Sequence, residues 1–291
     1  GTGKRLREVS GIIQAALKDH RVIVVVSALS SITKTEGTTS LLLEAGEQAV
    51  NGNPFSRILN RVEKTHMEAL QSSIDDPEIM EEVSDYIHQE LQSLKSFLEA
   101  IHVIREISAR SQDMIIGTGE RLSARLLSGV LKSRGIDSAF TDLSECVKKK
   151  LSNNNTRFFS DCEQAFRKKL SGNPDQVPVL TGFFGFVPGG IINRVGRGYS
   201  DLTAALTAAE MKADELQIWK EVDGIYTADP RKVPEARVLD AISPAEASEL
   251  TYFGSEVIHP FTMERAIQAQ VRIRIKNTLA PEKSGTLILP E

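Results

Sequence analysis

Cysteine is nearly absent from this chain, with two in 291 residues, Cys146 and Cys162, which excludes a disulfide-built fold. Long apolar runs are missing too. The longest, Val22 to Leu29, is interrupted by Ser27 and falls far short of the roughly 20 residues a bilayer crossing needs, so no membrane span is expected. The opening residues Gly1 to Arg7 lack the apolar stretch of a secretory signal, and with so little cysteine the expected compartment is reduced and cytoplasmic. There is no basic excess either: 35 Lys+Arg face 39 Asp+Glu, for a net charge of −4, and aromatics make up 5%. That leaves neither a phosphate-tracking stripe nor stacking platforms, so nucleic acid is an unexpected partner and small molecules are the expected ones. The five histidines, His20, His66, His88, His102 and His259, show no ligand spacing, and no structural metal is expected. Gly1-Thr2-Gly3-Lys4 ends like a phosphate-binding loop, but Arg5 stands where Ser or Thr is required and no strand precedes it.

The chain does hold alternating strand and helix patterns. Leu6, Val9, Ile12, Ile13, Ala16 and Leu17 predict a helix over Arg5 to Lys18, and the β-branched run Val22 to Ser27 predicts a strand buried on both faces. Leu41 to Arg110 reads as a helical excursion, broken at Asp75-Asp76-Pro77. Further strands are predicted at Ala139 to Asp142, Val177 to Phe184, Leu216 to Val222, Val271 to Lys276 and Thr286 to Leu289. The helices between them are Glu120 to Ser133, Asp161 to Leu170, Asp201 to Ala213, and Glu246 to Ala269 with a break near Gly254. Lys148 to Thr156 reads as an exposed loop. The class is α/β: a mostly parallel central sheet with helices on both faces and a helical insertion.

Three segments can carry chemistry. Gly196-Arg197-Gly198-Tyr199-Ser200-Asp201 follows Gly189-Gly190 and opens a helix at Leu202. An arginine beside free first-turn amides, capped by Ser200 or Asp201, suits a carboxylate or phosphate, although a capped turn with a solvated arginine reads equally well. Ser27 to Thr33, continuing through Gly37-Thr38-Thr39-Ser40, places hydroxyls beyond the carboxyl end of a strand, where open α/β sheets bind ligands. Lys220 to Lys232 combines Tyr226, several carboxylates and three cations. Tyr226 could pack on a purine while Arg231 or Lys220 meets phosphates; a charged surface loop is the alternative.

Six segments together resemble the aspartate kinase family, within the three-layer, carbamate-kinase-like amino-acid kinase fold. They are Val24 to Ala28, Gly119 to Ser123, Thr181 to Gly185, Gly196 to Asp201, Trp219 to Lys232, and Phe253 to Pro260, in the family's order over nearly the whole chain. The Lys-Glu-Val-Asp-Gly wording at 220–224 and the Glu-Gly-Thr-Thr-Ser insertion at 36–40 are most similar to the fungal branch.

The resemblance implies transfer of the γ-phosphoryl group of ATP to the side-chain carboxylate of L-aspartate, toward lysine, threonine and methionine. It implies an N-terminal amino-acid-substrate lobe at 1–190, with the insertion at about 41–110, and a C-terminal nucleotide lobe at 191–291. By position, Arg197 matches the arginine on the substrate α-carboxylate and Glu120 the carboxylate that takes its ammonium. Ser27, Thr33 or Thr39, and Ser200 match hydroxyls near the reacting carboxylate; Asp201 matches an acid beside the substrate amine. Lys220, Glu221, Tyr226, Asp229 and Arg231 occupy the nucleotide segment, and Mg²⁺ is expected on phosphates and water rather than in a protein cage. A homo-oligomer is a further family expectation. The family's N-terminal lysine strand, its C-terminal ACT domains, and a lysine common where Glu256 stands are not matched. The alternatives are a kinase of glutamate or N-acetylglutamate, and a nucleotide-binding module without turnover.

Overall fold

Helix α1 (Gly3–Ala16) starts before the predicted Arg5 because Thr2 caps it, its hydroxyl accepting from the Arg5 amide at 3.4 Å. Strand β1 (Val24–Val26) follows, the centre of the predicted apolar run. In this computed structural model, residues 2–30, 36–147, 155–173, 175–187, 189–196, 198–252 and 258–290 are described. The helical excursion is made of α2 (Thr38–Asn51), α3 (Ser56–Gln71) and α4 (Pro77–Ile104). The predicted break at Asp75-Asp76-Pro77 is a helix start: Asp76 Oδ1 accepts from the amides of Glu78 and Ile79 at 3.0 and 3.1 Å, and Pro77 takes the first turn, where its missing amide costs nothing.

Helix α5 (Ala109–Ser133) corrects the expectation of a helix from Glu120. It begins a full three turns earlier, capped by Ser108, and runs through Gly117 and Gly119. Two glycines depress helix propensity, but both are buried against neighbours that need the space. Strand β2 (Ser138–Thr141), helix α6 (Asn155–Leu170), strand β3 (Val177–Thr181) and the short α7 (Ile191–Arg194) follow. Asn155 and Thr156 therefore belong to a helix, while 148–154 of the expected loop lie outside the described residues. Next come α8 (Tyr199–Glu210), β4 (Glu215–Lys220), an unexpected β5 (Ala241–Ile242), α9 (Pro244–Tyr252), α10 (Pro260–Gln268), β6 (Arg272–Asn277) and β7 (Thr286–Ile288). The break expected near Gly254 lies outside the described residues, but Pro260 at the first turn of α10 explains why one continuous helix over 246–269 does not form.

The chain divides into two units, Gly1–Leu151 with Lys169–Gly196, and Ser152–Lys168 with Arg197–Glu291. In the first, parallel strands run in the order β1-β3-β2, with Val25 opposite Leu180 and Phe140 opposite Val179. The middle strand β3 is buried along its whole length, and α5 packs on all three strands. Leu42, Leu70, Ile87, Leu98, Leu122 and Leu126 are fully buried among the helices, each contributing about 1.5–3 kcal/mol of apolar burial.

In the second unit the order is β4-β6-β7-β5, parallel except for the β6–β7 pair. One sheet face, with Leu216, Ile218, Ile273, Ile275 and Ile288, packs with Ala205, Met263 and Ala266. Helix α6 belongs here although it is encoded between two strands of the first unit: Phe159 meets Phe261 edge-on, Glu163 pairs with Arg265, and Arg167 with Glu210. The architecture is α/β with mostly parallel strands and helices on both sides. Among the described residues the strands form two sheets rather than one central sheet. No described helix is long and apolar enough to cross a membrane.

Candidate active site

In the first unit, the chain leaves β1 at an exposed Ser27, and the Thr38 amide donates to the Leu29 carbonyl at 3.0 Å, closing the loop that leads into α2. Thr39 lies in the first turn of α2, half-buried; Thr33 lies outside the described residues. Gly119 of α5 is where these parts converge. A Cβ there would stand 3.0 Å from the Ala28 Cβ, 3.0 Å from Thr38 Cγ2 and 3.1 Å from Leu42 Cδ1. A bare backbone gives α5 room for this close approach, which a Cβ would crowd by a few tenths of an ångström. The chain neighbours of Ser27, Thr39 and Glu120 thus meet at one point, and Glu120 itself is 1% exposed. A carboxylate so buried is costly unless matched by a donor or cation. The adjacent Arg121 faces elsewhere, pairing with Glu90 and donating to Thr118 Oγ1 at 2.9 Å. Thr181 closes the end of β3: its hydroxyl accepts from the Leu143 amide at 2.9 Å and donates to the Phe183 carbonyl at 2.8 Å.

In the second unit, α8 starts at Tyr199 with Gly198 as its N-cap, so Ser200 and Asp201 sit inside the first turn rather than capping a helix at Leu202. Gly198 packs on the ring and Cβ of His259, whose Nδ1 accepts from the Phe261 amide at 3.2 Å and caps α10. Arg197 lies outside the described residues. Ser200 is buried, and Asp201 Oδ2 lies 2.7 Å from Lys220 Nζ at the end of β4. Two predicted residues from different segments are therefore brought together. Glu221 is exposed on the turn that follows.

Beyond β4, Tyr226 is half-buried and bridges to Val238. Asp229 and Arg231 form a two-pronged pair, with Nε to Oδ1 at 3.0 Å and Nη2 to Oδ2 at 3.1 Å, and the Arg231 guanidinium holds the Asp229 carboxyl below its ordinary range. The anchor of this segment was not read from the sequence. Asp223 Oδ2 receives Lys283 at 2.7 Å and its Oδ1 the Asn277 amide at 2.7 Å, contacts that also lower its pKa. The only local signal was an aspartate before Gly224; its partners lie 54 and 60 residues away. Among the described residues no group of three His, Cys, Asp or Glu side chains could hold a metal ion.

Residues 1–277 match the family model described as the amino acid kinase family, and the chain belongs to that family. It is 47% identical to an aspartokinase of Schizosaccharomyces pombe over 94% of this chain and 54% of that protein. With an aspartokinase of Saccharomyces cerevisiae the identity is 46%, over 94% and 53%. The chain spans about half the length of the curated relatives it matches. Among solved structures, Escherichia coli aspartokinase III in complex with aspartate and ADP aligns at a TM-score of 0.79 and 25% identity, covering 98% of this chain and 61% of that one.

Proposed function

We propose that this chain is the catalytic region of an aspartate kinase, a phosphotransferase with a carboxyl acceptor. The observation that carries the reading is the similarity, at 46–47% identity and over nearly the whole chain, to proteins named aspartokinase. The neighbour bound to aspartate and ADP supports the same pair of reactants.

In this reading the side-chain carboxylate of L-aspartate, already ionised at neutral pH, attacks the γ-phosphorus of ATP. One carboxylate oxygen gains a bond to phosphorus, the bond from phosphorus to the β–γ bridging oxygen breaks, and ADP leaves with that electron pair. No proton has to move, so the work is positioning and charge neutralisation. Glu120 takes the substrate ammonium and Arg197 forks onto the α-carboxylate; Ser27, Ser200 and Thr33 or Thr39 hold the reacting carboxylate. Asp201 lies beside the amine while orienting Lys220 toward the phosphates. Tyr226 packs against the base, with Glu221, Asp229 and Arg231 framing the nucleotide. Ser27, Thr33 or Thr39 and Glu120 come from the lobe through residue 190, and the nucleotide residues from the lobe that begins at 191. Mg²⁺ arrives on ATP in this reading and stays on phosphates and water. We place the enzyme in the cytoplasm, as a homo-oligomer, at the first step toward lysine, threonine and methionine.

The test is a coupled ADP-release assay offering L-aspartate, L-glutamate and N-acetyl-L-glutamate in turn. Aspartate should be preferred, because a carboxylate placed to take a free ammonium gains no such contact from an acylated nitrogen. Preference for either other acceptor overturns the reading.

A further inference from the structure

We propose that Asp113 is a positioning residue for acceptor recognition: from the buried stripe of α5 that also carries Glu120, its carboxylate fixes the Gly189–Gly190 turn and the start of α7. The identity of the acceptor rests on the aspartate kinase reading; the positioning itself does not.

Asp113 is 1% exposed, and both of its oxygens receive the same group, the Ile191 amide, at 3.0 and 3.1 Å. Helix α7 has a glycine, Gly190, at its N-cap and no local side chain to satisfy its first amide. The cap is supplied instead from 78 residues away. Gly190 adopts φ +90°, and a Cβ there would lie 3.2 Å from Ala109 Cβ and 3.6 Å from Asp113 Oδ1, so the turn is pressed onto α5. The Gly190 amide donates to Val187 at 2.8 Å, and the amides of Arg194, Val195 and Gly196 follow back into the same short helix. The start of this short helix is therefore held by one carboxylate.

That carboxylate is aligned with Glu120. Seven residues are two helical turns, so both side chains leave α5 on one face, about 10.5 Å apart along its axis. Gly117 lies between them on that face, and Phe183 packs directly on it. The stripe thus registers both loops that follow β3, at Phe183 and at Ile191, against the residue that reads the acceptor ammonium. The second loop continues into Gly196 and Arg197, the expected carboxylate reader. A buried carboxylate given a single neutral amide is a poor way to gain stability, which argues that its position is what matters.

The test compares Asp113→Ala and Asp113→Asn in the full-length protein, with initial-rate kinetics and amide exchange at Ile191. Asp113→Ala should raise the acceptor KM about tenfold or more while the ATP KM moves less than about twofold. Exchange at Ile191 should quicken about tenfold or more as its partner is lost. Asp113→Asn, whose side-chain oxygen still accepts from Ile191, should stay within about threefold of wild type on both measures. Gly190→Ala strains the same turn with Asp113 intact and should reproduce the acceptor-specific KM rise. Equal changes in both KM values, unchanged exchange in Asp113→Ala, or a folded Asn variant as impaired as Ala each overturn the proposal. A wild-type enzyme that ignores aspartate sinks the kinase reading alone, because exchange at Ile191 and the KM for whatever acceptor is used still decide the positioning.

Discussion

Lys220 Nζ stands 2.7 Å from Asp201 Oδ2, tying the last residue of β4 to the first turn of α8. The pair is partly exposed, with side chains 33% and 18% accessible, so its contribution to folding is small, about 0.5 kcal/mol. Its functional coupling should be larger. In a double-mutant cycle of Lys220→Met and Asp201→Asn on kcat/KM, we expect a coupling of about 1–2 kcal/mol. Additive losses would show that the two residues act independently.

Glu120→Gln removes the charge from a side chain that is 1% exposed on α5. If it reads an ammonium, aspartate KM rises about 30- to 100-fold, the equivalent of 2–3 kcal/mol, while ADP binding measured calorimetrically is unaltered. A variant that loses ADP affinity instead assigns Glu120 to the nucleotide.

Two buried groups in the first unit set opposing pH slopes. Burial lowers the His66 pKa to about 4 from 6.5, while Nδ1 stays bonded to the Val62 carbonyl at 2.7 Å. Between those values the unfolded chain binds a proton that the folded one refuses. Stability is therefore full above pH 6.5 and falls on acidification by up to about 3 kcal/mol. Burial raises the Asp113 pKa to about 6 from 3.8, so there the folded chain holds the extra proton and stability falls as pH rises from 4 to 6, by at most about 3 kcal/mol.

The two slopes largely cancel in the wild type, and single variants expose them. Urea titrations at pH 4 and pH 7 should show His66→Leu reducing acid sensitivity and Asp113→Asn increasing it. Parallel pH dependence in wild type and both variants would falsify the assignment.

Arg265 pairs with Glu163, a carboxylate whose pKa is raised chiefly by burial, and the pair fastens α6 to α10. Arg265→Met should cost about 3 kcal/mol by leaving that charge uncompensated, and Glu163→Gln added to it should recover much of the loss. Chemical denaturation of the single and double variants checks this; a double variant as unstable as the sum of the two singles rules it out.

Strands and long helices could be read from local pattern, since β-branched runs and helical spacing are properties of neighbouring residues. The start of α5 could not, because Gly117 and Gly119 look like breakers until Phe183, Ala28 and Thr38 are seen against them. Ser27, Thr39 and Glu120 were nameable through resemblance, but the meeting of their chain neighbours Ala28, Thr38 and Gly119 depends on contacts between residues far apart in sequence. Asp113 carried no signal at all: an aspartate in an amphipathic stretch reads as solvated until its partner, Ile191, is known. Arg197 and Thr33, named from the same resemblance, lie outside the described residues.

The strand order β1-β3-β2 has a consequence for biosynthesis. Among the described residues β1 and β2 each pair with β3 and not with one another, and Val24 waits for Val179. As the polypeptide emerges from the ribosome, helices α1 to α6 are complete before any edge of this sheet can be satisfied. Val24-Val25-Val26 therefore goes without its hydrogen-bonded neighbour until residue 181 has cleared the exit tunnel, although α5, which covers it, is made earlier.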